Sequence, residues 1–490
     1  MSEELMESSP PPLPPSPMEK LSDFSDRFSP MLVKELRQGL RTHSFVILFL
    51  LLQGLLALIL LTAAAVNANA GGFVSSIIFF FFSLAVLIVQ PLRGMSAISS
   101  EIKADTIDLM SLTRLSAWRI VFGKWSSIMG QTALVLFSII PYLILRYFFG
   151  GMQLFSELLL LLTIFLLSGI FTAITVGLSS SPLALVRAIP MLASLFLLFI
   201  IPALSFGQFD DVLEFFTPNS RDHWLGLTGV YVIGSFVGYF FLEIAATAIA
   251  PSAENRATRK RLAALVIIPL AFVALHVIDY QAAWMITSLL LFMLSLDFFT
   301  EREEYPSVVI RPFLRYGSLG RGAARLLAPG WATGTLFHLA LVVILTLLSL
   351  ALGDELRNPN DLEMWAVLGV LLGMTYFPHL LVQLFKKRVS NRLVGYLLFS
   401  VLLFAIMPLL GILQNIGDVE MVAWSICFIP QAQPFLENHV KESTSLLLAW
   451  STAGVYIIAC LAFTLKPLLG LSKLEAEEIE RISKEKEITS

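Results

Sequence analysis

Apolar residues in this chain come in long blocks separated by short polar loops. A bilayer core about 30 Å thick requires about 20 apolar residues of helix. That window predicts twelve spans: Phe45 to Val66, Phe73 to Pro91, Ser126 to Phe148, Leu154 to Leu178, Leu183 to Phe206, Trp224 to Ala250, Leu262 to Ile278, Ala282 to Phe299, Thr335 to Leu352, Trp365 to Phe385, Leu393 to Leu413 and Leu446 to Leu465. The seventh, eighth and ninth are the shortest. The apolar stretch around Val422 to Ile429 is too short to span and reads as re-entrant or interfacial. The expected fold is all-α, a polytopic transmembrane helical bundle of about 12 spans. No period of 20 to 50 residues recurs, which excludes a solenoid.

The flanks of the blocks add organisation. Residues 1–29 hold the tract PPPLPPSP among acidic and Ser residues, too little apolar surface to offset the entropy of ordering, so a disordered tail is expected. In SPMLVKELRQGLRTHSF, Ser29 suits an N-cap and Pro30 the first helical position. Met31, Leu32, Leu36 and Leu40 fall at helical spacing opposite Lys34, Arg37 and Arg41. A basic amphipathic helix over 30–44, lying on the membrane face against anionic headgroups, follows. A first six-span module then covers 30–250 with a polar loop at 92–125. A basic linker at 251–261 leads to a second six-span module at 262–466 and a charged tail at 467–490.

Composition strengthens the membrane reading. The apolar share is 57%, the charged share 14% and the net charge −3 over 490 residues. Mean hydropathy is +0.80. No domain gathers the Lys and Arg into a nucleic-acid surface. Cys427 and Cys460 lie in separate apolar stretches and read as small apolar residues. The positive-inside rule orients the spans. With a cytoplasmic N-terminus, the inner loops hold Arg93, Lys103, Arg114, Arg119, Lys124, Arg187, Arg256, Arg259, Lys260, Arg261, the Arg311 to Arg325 series, and Lys386, Lys387, Arg388 and Arg392. The outer loops hold little beyond Arg221, Arg357 and Lys441. Both termini are then cytoplasmic. Ala68, Asn69 and Ala70 imitate a signal-cleavage site, but the apolar run before them is too long for a signal peptide and a long polar segment precedes it.

The loop from Ser96 to Trp125 is the most informative polar stretch. Apolar residues at helical spacing, mixed with both signs of charge, predict one or two short amphipathic helices on the inner face. Its series SSEIKADTIDLMSLTRLSAWRIVFGKW resembles the cytoplasmic loop of type-2 ATP-binding-cassette exporter permeases. The match is carried by Glu101 and Lys103, Thr106, Asp108, Leu109 and Leu112, Thr113 with Leu115 and Ser116, and Gly123 with Lys124. Lys34, Glu35, Leu36 and Arg37 similarly look like that family's membrane-parallel lead-in helix. Ala104 stands where the family often has Gly, and Arg114 where Pro is common. The resemblance extends to about Ala250. It implies a coupling helix that docks in a groove of a separate ATPase, which would bring ATP and Mg, and a homodimer or heterodimer of permeases in a bacterial inner membrane. The implied docking residues are Glu101, Lys103, Asp105, Thr106, Asp108, Leu112, Leu115, Trp118 and Arg119, with Leu112, Leu115 and Trp118 as buried anchors and the charges setting register.

Other chemistry is sparse. No G-x-x-x-x-G-K-[ST] loop is present; the fragment Gly123-Lys124-Trp125-Ser126 has Trp118 where the upstream Gly belongs. ATP hydrolysis is therefore expected from a partner, and no cofactor or metal from this chain. Intramembrane Glu243 and Asp297 are expected to snorkel or pair with nearby Arg, and Arg146 lies near an outer span end. His276, His338 and His379 lack metal-site spacing and read as packing residues. No Ser sits in a G-x-S-x-G context. Pro182, Pro190, Pro202, Pro269, Pro378 and Pro408 are candidate kinks. The alternative function is a membrane-embedded enzyme acting on lipid or polyprenyl substrates, which would show ionisable groups clustered on one cavity.

Overall fold

The computed structural model describes residues 30–66, 71–104, 116–148, 153–181, 183–217, 221–251, 253–352, 359–389, 391–414, 419–436 and 442–489. It is 88% helical and without strands among these residues. Among the described residues, eleven helices are long and apolar enough to cross a bilayer. The chain is an integral membrane protein built as an all-α bundle.

We number the helices α1 Pro30–Leu40, α2 His43–Val66, α3 Gly72–Lys103, α4 Ala117–Tyr147, α5 Leu154–Ser179, α6 Ala184–Gly207, α7 Phe209–Phe215, α8 Arg221–Ile249, α9 Ala257–His276, α10 Tyr280–Phe298, α11 Gly317–Leu327, α12 Trp331–Leu352, α13 Pro359–Leu384, α14 Arg392–Leu413 and α15 Glu442–Thr489. Two π-helical turns interrupt this order, Leu84–Val89 within α3 and Ala203–Gly207 at the end of α6.

Ten of the expected spans coincide with helices in this set, and the last is the start of the much longer α15. The exception is the expected seventh span, Leu262 to Ile278. It lies in α9, whose first turns carry Arg259, Lys260 and Arg261. Those charges keep it outside the eleven, but it runs antiparallel to α10 over a similar length, from the Lys260–Asp297 pair at one end to His276 packed on Tyr280 at the other. The stretch around Val422 to Ile429 forms a short helix, Val419–Ser425, followed by a 3-10 turn, Pro430–Leu436, that buries Ala423 and Gln431.

The two halves share a core, so the split near residue 250 is not a packing boundary. Phe236 and Phe240 of α8 belong to the same buried cluster as Ile268, Phe298, Leu341 and Tyr376. A second cluster, with Leu56, Ile78, Phe82, Val135 and Ile164, fills the first half. The segment 251–261 is no solvated linker either, since Arg256, Lys260 and Arg261 are buried. Residues of the expected charged tail continue the last span as one helix. Beyond the apolar part of α15, Glu478 accepts a hydrogen bond from Ser307 Oγ at 2.8 Å, and Arg311 pairs with Glu485 at 2.6 Å.

Helix α1 lies along α4, and small residues allow the approach. A Cβ on Gly123 would meet Met31 Cγ at 3.0 Å, and one on Gly130 would meet Leu36 Cδ1 at 3.2 Å. Met31 and Leu36 thus occupy two gaps seven positions apart, two helical turns.

Candidate functional site

The polar end of the first half is organised by one lysine. Lys124 follows Gly123 in the first turns of α4 and is 7% exposed. Its Nζ donates to Glu35 Oε1 of α1 at 3.1 Å and to Glu101 Oε1 of α3 at 2.9 Å. Both carboxylates are mostly buried, at 17% and 18% exposure. Three helices are therefore joined through one ammonium group where the lead-in helix, the loop start and a span meet. A buried charge is tolerated when it is paired and hydrogen-bonded.

A second latch lies about two turns deeper. Arg93 Nη1 donates to Gln90 at 3.1 Å and also bonds Gln131, while Nη2 donates to Gly39 O at 3.3 Å and Thr42 Oγ1 at 3.0 Å. The guanidinium lies over the Phe45 ring, 5.6 Å from its centroid. Arg93 thus fixes the turn between α1 and α2 against α3 and α4.

Of the residues assigned to docking by resemblance, Glu101 is in the ion bridge, while Lys103 and Arg119 are exposed. Trp118 is half-buried, stacked on Phe122 at 5.9 Å and packed on Tyr239 at 5.6 Å, with Ile98 and Val121 in the same cluster. Its ring is committed to α8 rather than free as an anchor. Asp105, Thr106, Asp108, Leu112 and Leu115 lie outside the described residues. In the lead-in helix, Lys34 and Arg37 are exposed, and Glu35 and Leu36 face α4.

The second half has its own buried charge cluster. Lys260 Nζ pairs with Asp297 Oδ2 at 2.5 Å and Glu301 Oε1 at 3.1 Å. Arg261 donates to Glu301 Oε2 at 2.6 Å and to the carbonyls of Leu326, Ala328 and Gly330. Gly330, at φ +119°, holds a backbone conformation that favours glycine, and its N–H donates to Glu301 Oε2 at 3.0 Å. Burial alone would raise the Glu301 carboxyl, but Arg261 and Lys260 hold it below the usual range. Burial likewise works against the Lys260 ammonium, and Asp297 and Glu301 more than offset it, raising its pKa. Glu243 pairs with Arg256 at 2.9 Å, the Arg pairing expected of it, whereas Asp297 pairs with a lysine. Arg146 is paired with Glu157 of the next span at 2.5 Å, and both are almost wholly buried.

Close by, His338 bonds Tyr376 Oη at 3.0 Å and Leu291 O at 3.1 Å, and His379 bonds Thr335 Oγ1 at 3.1 Å. No group of His, Cys, Asp or Glu among the described residues could hold a metal ion. Both rings pack between helices, His338 bonded through both nitrogens and His379 through Nε2 alone, its Nδ1 buried without a hydrogen-bond partner.

One cavity lies between α3, α5, α6 and α7, about 410 Å³ in volume. Its walls include Phe79, Leu160, Ile201 and Phe216, with Ser205 inside and exposed Gln208 and Asp211 at the rim. Both π-helical turns contribute to it, through Leu87 and Leu204. Such turns are frequent at functional sites, and the volume falls within the range of ligand pockets.

Sequence reasoning missed the roles of Arg93, Gln131, Glu157 and Tyr239. Their signal is weak, because an isolated polar residue in an apolar block does not name its partner. No known family matches the sequence, and no curated protein or solved structure matches it either.

Proposed function

We propose that this chain is the membrane-spanning permease subunit of an ATP-driven exporter whose ATPase is a separate polypeptide, with the polar end that carries Lys124 and Lys260 facing the cytoplasm. The observation that supports this most directly is the ion bridge from Lys124 to Glu35 and Glu101. A force applied to the loop after Lys103 would pass through Glu101 and Lys124 into α1 and α4, and through Trp118 and Tyr239 into α8. Packed elements transmit displacement because interiors are dense. A docking loop needs that property to convert nucleotide-driven closure into movement of spans. The cavity between α3 and α7 is our candidate substrate chamber. Its apolar wall and polar rim suit an amphiphile.

The embedded-enzyme reading gains one observation, the cluster of Lys260, Arg261, Asp297 and Glu301. Its charges are spent on each other and on backbone carbonyls, not aimed at a cavity. The exporter reading is therefore preferred.

Glu101 and Trp118 hold the fold together, so the docking test belongs to the exposed Lys103 and Arg119. Lys103→Glu with Arg119→Glu is expected to weaken co-purification with the separate ATPase that this proposal requires, and more so at low salt. Insertion and melting should be unchanged. The pure chain alone should hydrolyse no ATP in the presence of Mg. Parent-like association of the double variant, or turnover by the chain alone, refutes the proposal.

A further inference from the structure

The groove between α11 and the far half of α15 has a volume of about 480 Å³ and is lined by Ser318, Arg321, Arg325, Ser472, Glu475 and Ile479, among others. Arg321 and Arg325 are exposed and one turn apart on α11, so both guanidinium groups can reach one anion. Glu475 contributes the opposite charge from the facing helix. It is 6% exposed, and its Oε1 is a buried oxygen without a hydrogen-bond partner. A buried polar atom left unsatisfied is destabilising, and a ligand with a donor would relieve it.

The groove also lies at a defined depth. Exposed apolar side chains on α15 continue through Leu465 and Leu469, and Ser472 follows within one turn. Tyr316, which precedes α11, and Leu319 in its first turn, both before the two arginines, are exposed at 75% and 84%. Apolar exposure giving way to Arg, Ser and Glu on two adjacent helices marks the membrane–water interface. A headgroup there would meet two cations and one anion.

We propose that this groove binds a phosphoethanolamine headgroup, with the phosphate on Arg321 and Arg325 and the primary ammonium on Glu475. A purely anionic headgroup satisfies the arginines but meets the Glu475 charge. A choline headgroup brings a cation without an N–H to donate to Oε1. This chemistry could reach the site as a phospholipid or as free glycerophosphoethanolamine.

The test is native mass spectrometry of the full chain released from mixed micelles holding equal amounts of phosphatidylethanolamine, phosphatidylcholine and phosphatidylglycerol. The parent should retain phosphatidylethanolamine over each of the others by about tenfold, the size of one charge-assisted hydrogen bond. Glu475→Gln should shift the preference to phosphatidylglycerol, and Arg321→Gln with Arg325→Gln should abolish retention of all three. Neutralising an unpartnered carboxylate removes no contact seen in the fold. If Glu475→Gln nevertheless fails to insert, Ser472→Trp, which fills the groove from an exposed position, should abolish retention instead. Added glycerophosphoethanolamine that displaces the lipid at millimolar concentration assigns the site to the headgroup alone; failure to displace assigns it to the intact lipid. Equal retention of the three lipids by the parent, or a preference unchanged by these variants, overturns the proposal.

Discussion

Replacing Lys124 with Met keeps the length of the side chain and removes the charge that joins α1, α3 and α4. Two charge-assisted hydrogen bonds are lost, at 3.1 and 2.9 Å, each contributing about 1.5–3 kcal/mol. Removing one member of a buried ion pair typically costs about 3–5 kcal/mol because its partner is left uncompensated. Glu35 and Glu101 retain 17% and 18% exposure, so water resolvates part of the freed charge. The expected loss is then about 2–3 kcal/mol, concentrated in α1, which has few other polar anchors. Hydrogen exchange of the α1 amides in micelles should accelerate by about 30- to 150-fold, one decade per 1.36 kcal/mol. Adding Glu35→Gln and Glu101→Gln to Lys124→Met should recover much of the protection, since the two carboxylates no longer face each other uncompensated. Lys34→Met, on the exposed face of the same helix, should stay within about 0.5 kcal/mol of the parent. If α1 in Lys124→Met exchanges within twofold of the parent, the bridge does not hold the helix, and the mechanical argument for coupling through it fails.

Arg146→Met should cost about 3–5 kcal/mol by stranding the buried Glu157 carboxylate, and the added change Glu157→Leu should restore most of the melting temperature; no recovery would contradict the pairing. Gly177→Ala places a Cβ 2.6 Å from the Phe241 carbonyl oxygen, so thermal unfolding should show a loss of about 1–3 kcal/mol. Glu301 has a lowered folded-state pKa, so its contribution is complete above its unfolded value and is lost as pH falls below about 4; Glu301→Gln should flatten that part of a melting-versus-pH curve. Burial pushes Tyr305 up to about 12, so the ultraviolet titration of Tyr305→Phe should lose the amplitude of one tyrosine near that value relative to the parent, and the parent's stability should fall between about pH 10 and that value.

Span positions were legible because a long apolar window is a local property. What the window could not weigh was partner choice. Arg259, Lys260 and Arg261 look like a solvated run, yet Lys260 and Arg261 are buried because Asp297, Glu301 and the carbonyls of the 326–330 turn converge on them. Those partners lie tens of residues downstream and carry no pattern that points back. Trp118 illustrates the same limit. An aromatic residue at the head of a span suits docking and inward packing equally, and the presence of Tyr239 on α8 decides for packing. Glu101 was legible as a charge of the loop but not as one half of a bridge, because Glu35 and Glu101 both compete for Lys124 only once α1 lies on α4. Glycine spacing did hint at that contact, since Gly123 and Gly130 leave α4 narrow on the side that receives Met31 and Leu36.

The same device occurs twice at this end of the bundle. In the first half a buried lysine at the head of α4 joins carboxylates of α1 and α3; in the second a buried lysine at the head of α9 joins the end of α10 to the segment after it. Neither arrangement is the cheapest way to stabilise a helix bundle, because apolar packing of equal volume often matches a buried ion pair. What an ion pair adds is discreteness. An apolar contact tolerates a slide along the helix axis with gradual loss, whereas an ammonium held by two carboxylates at hydrogen-bond distance loses its geometry within about an ångström. Each lysine therefore fixes the axial position of its helix relative to its neighbours at the end where the polar loops begin. Displacement of either loop must then move several helices together or break the bridge. A protein that only had to remain in the membrane would gain little from that constraint, and a protein that must move its helices as blocks depends on it.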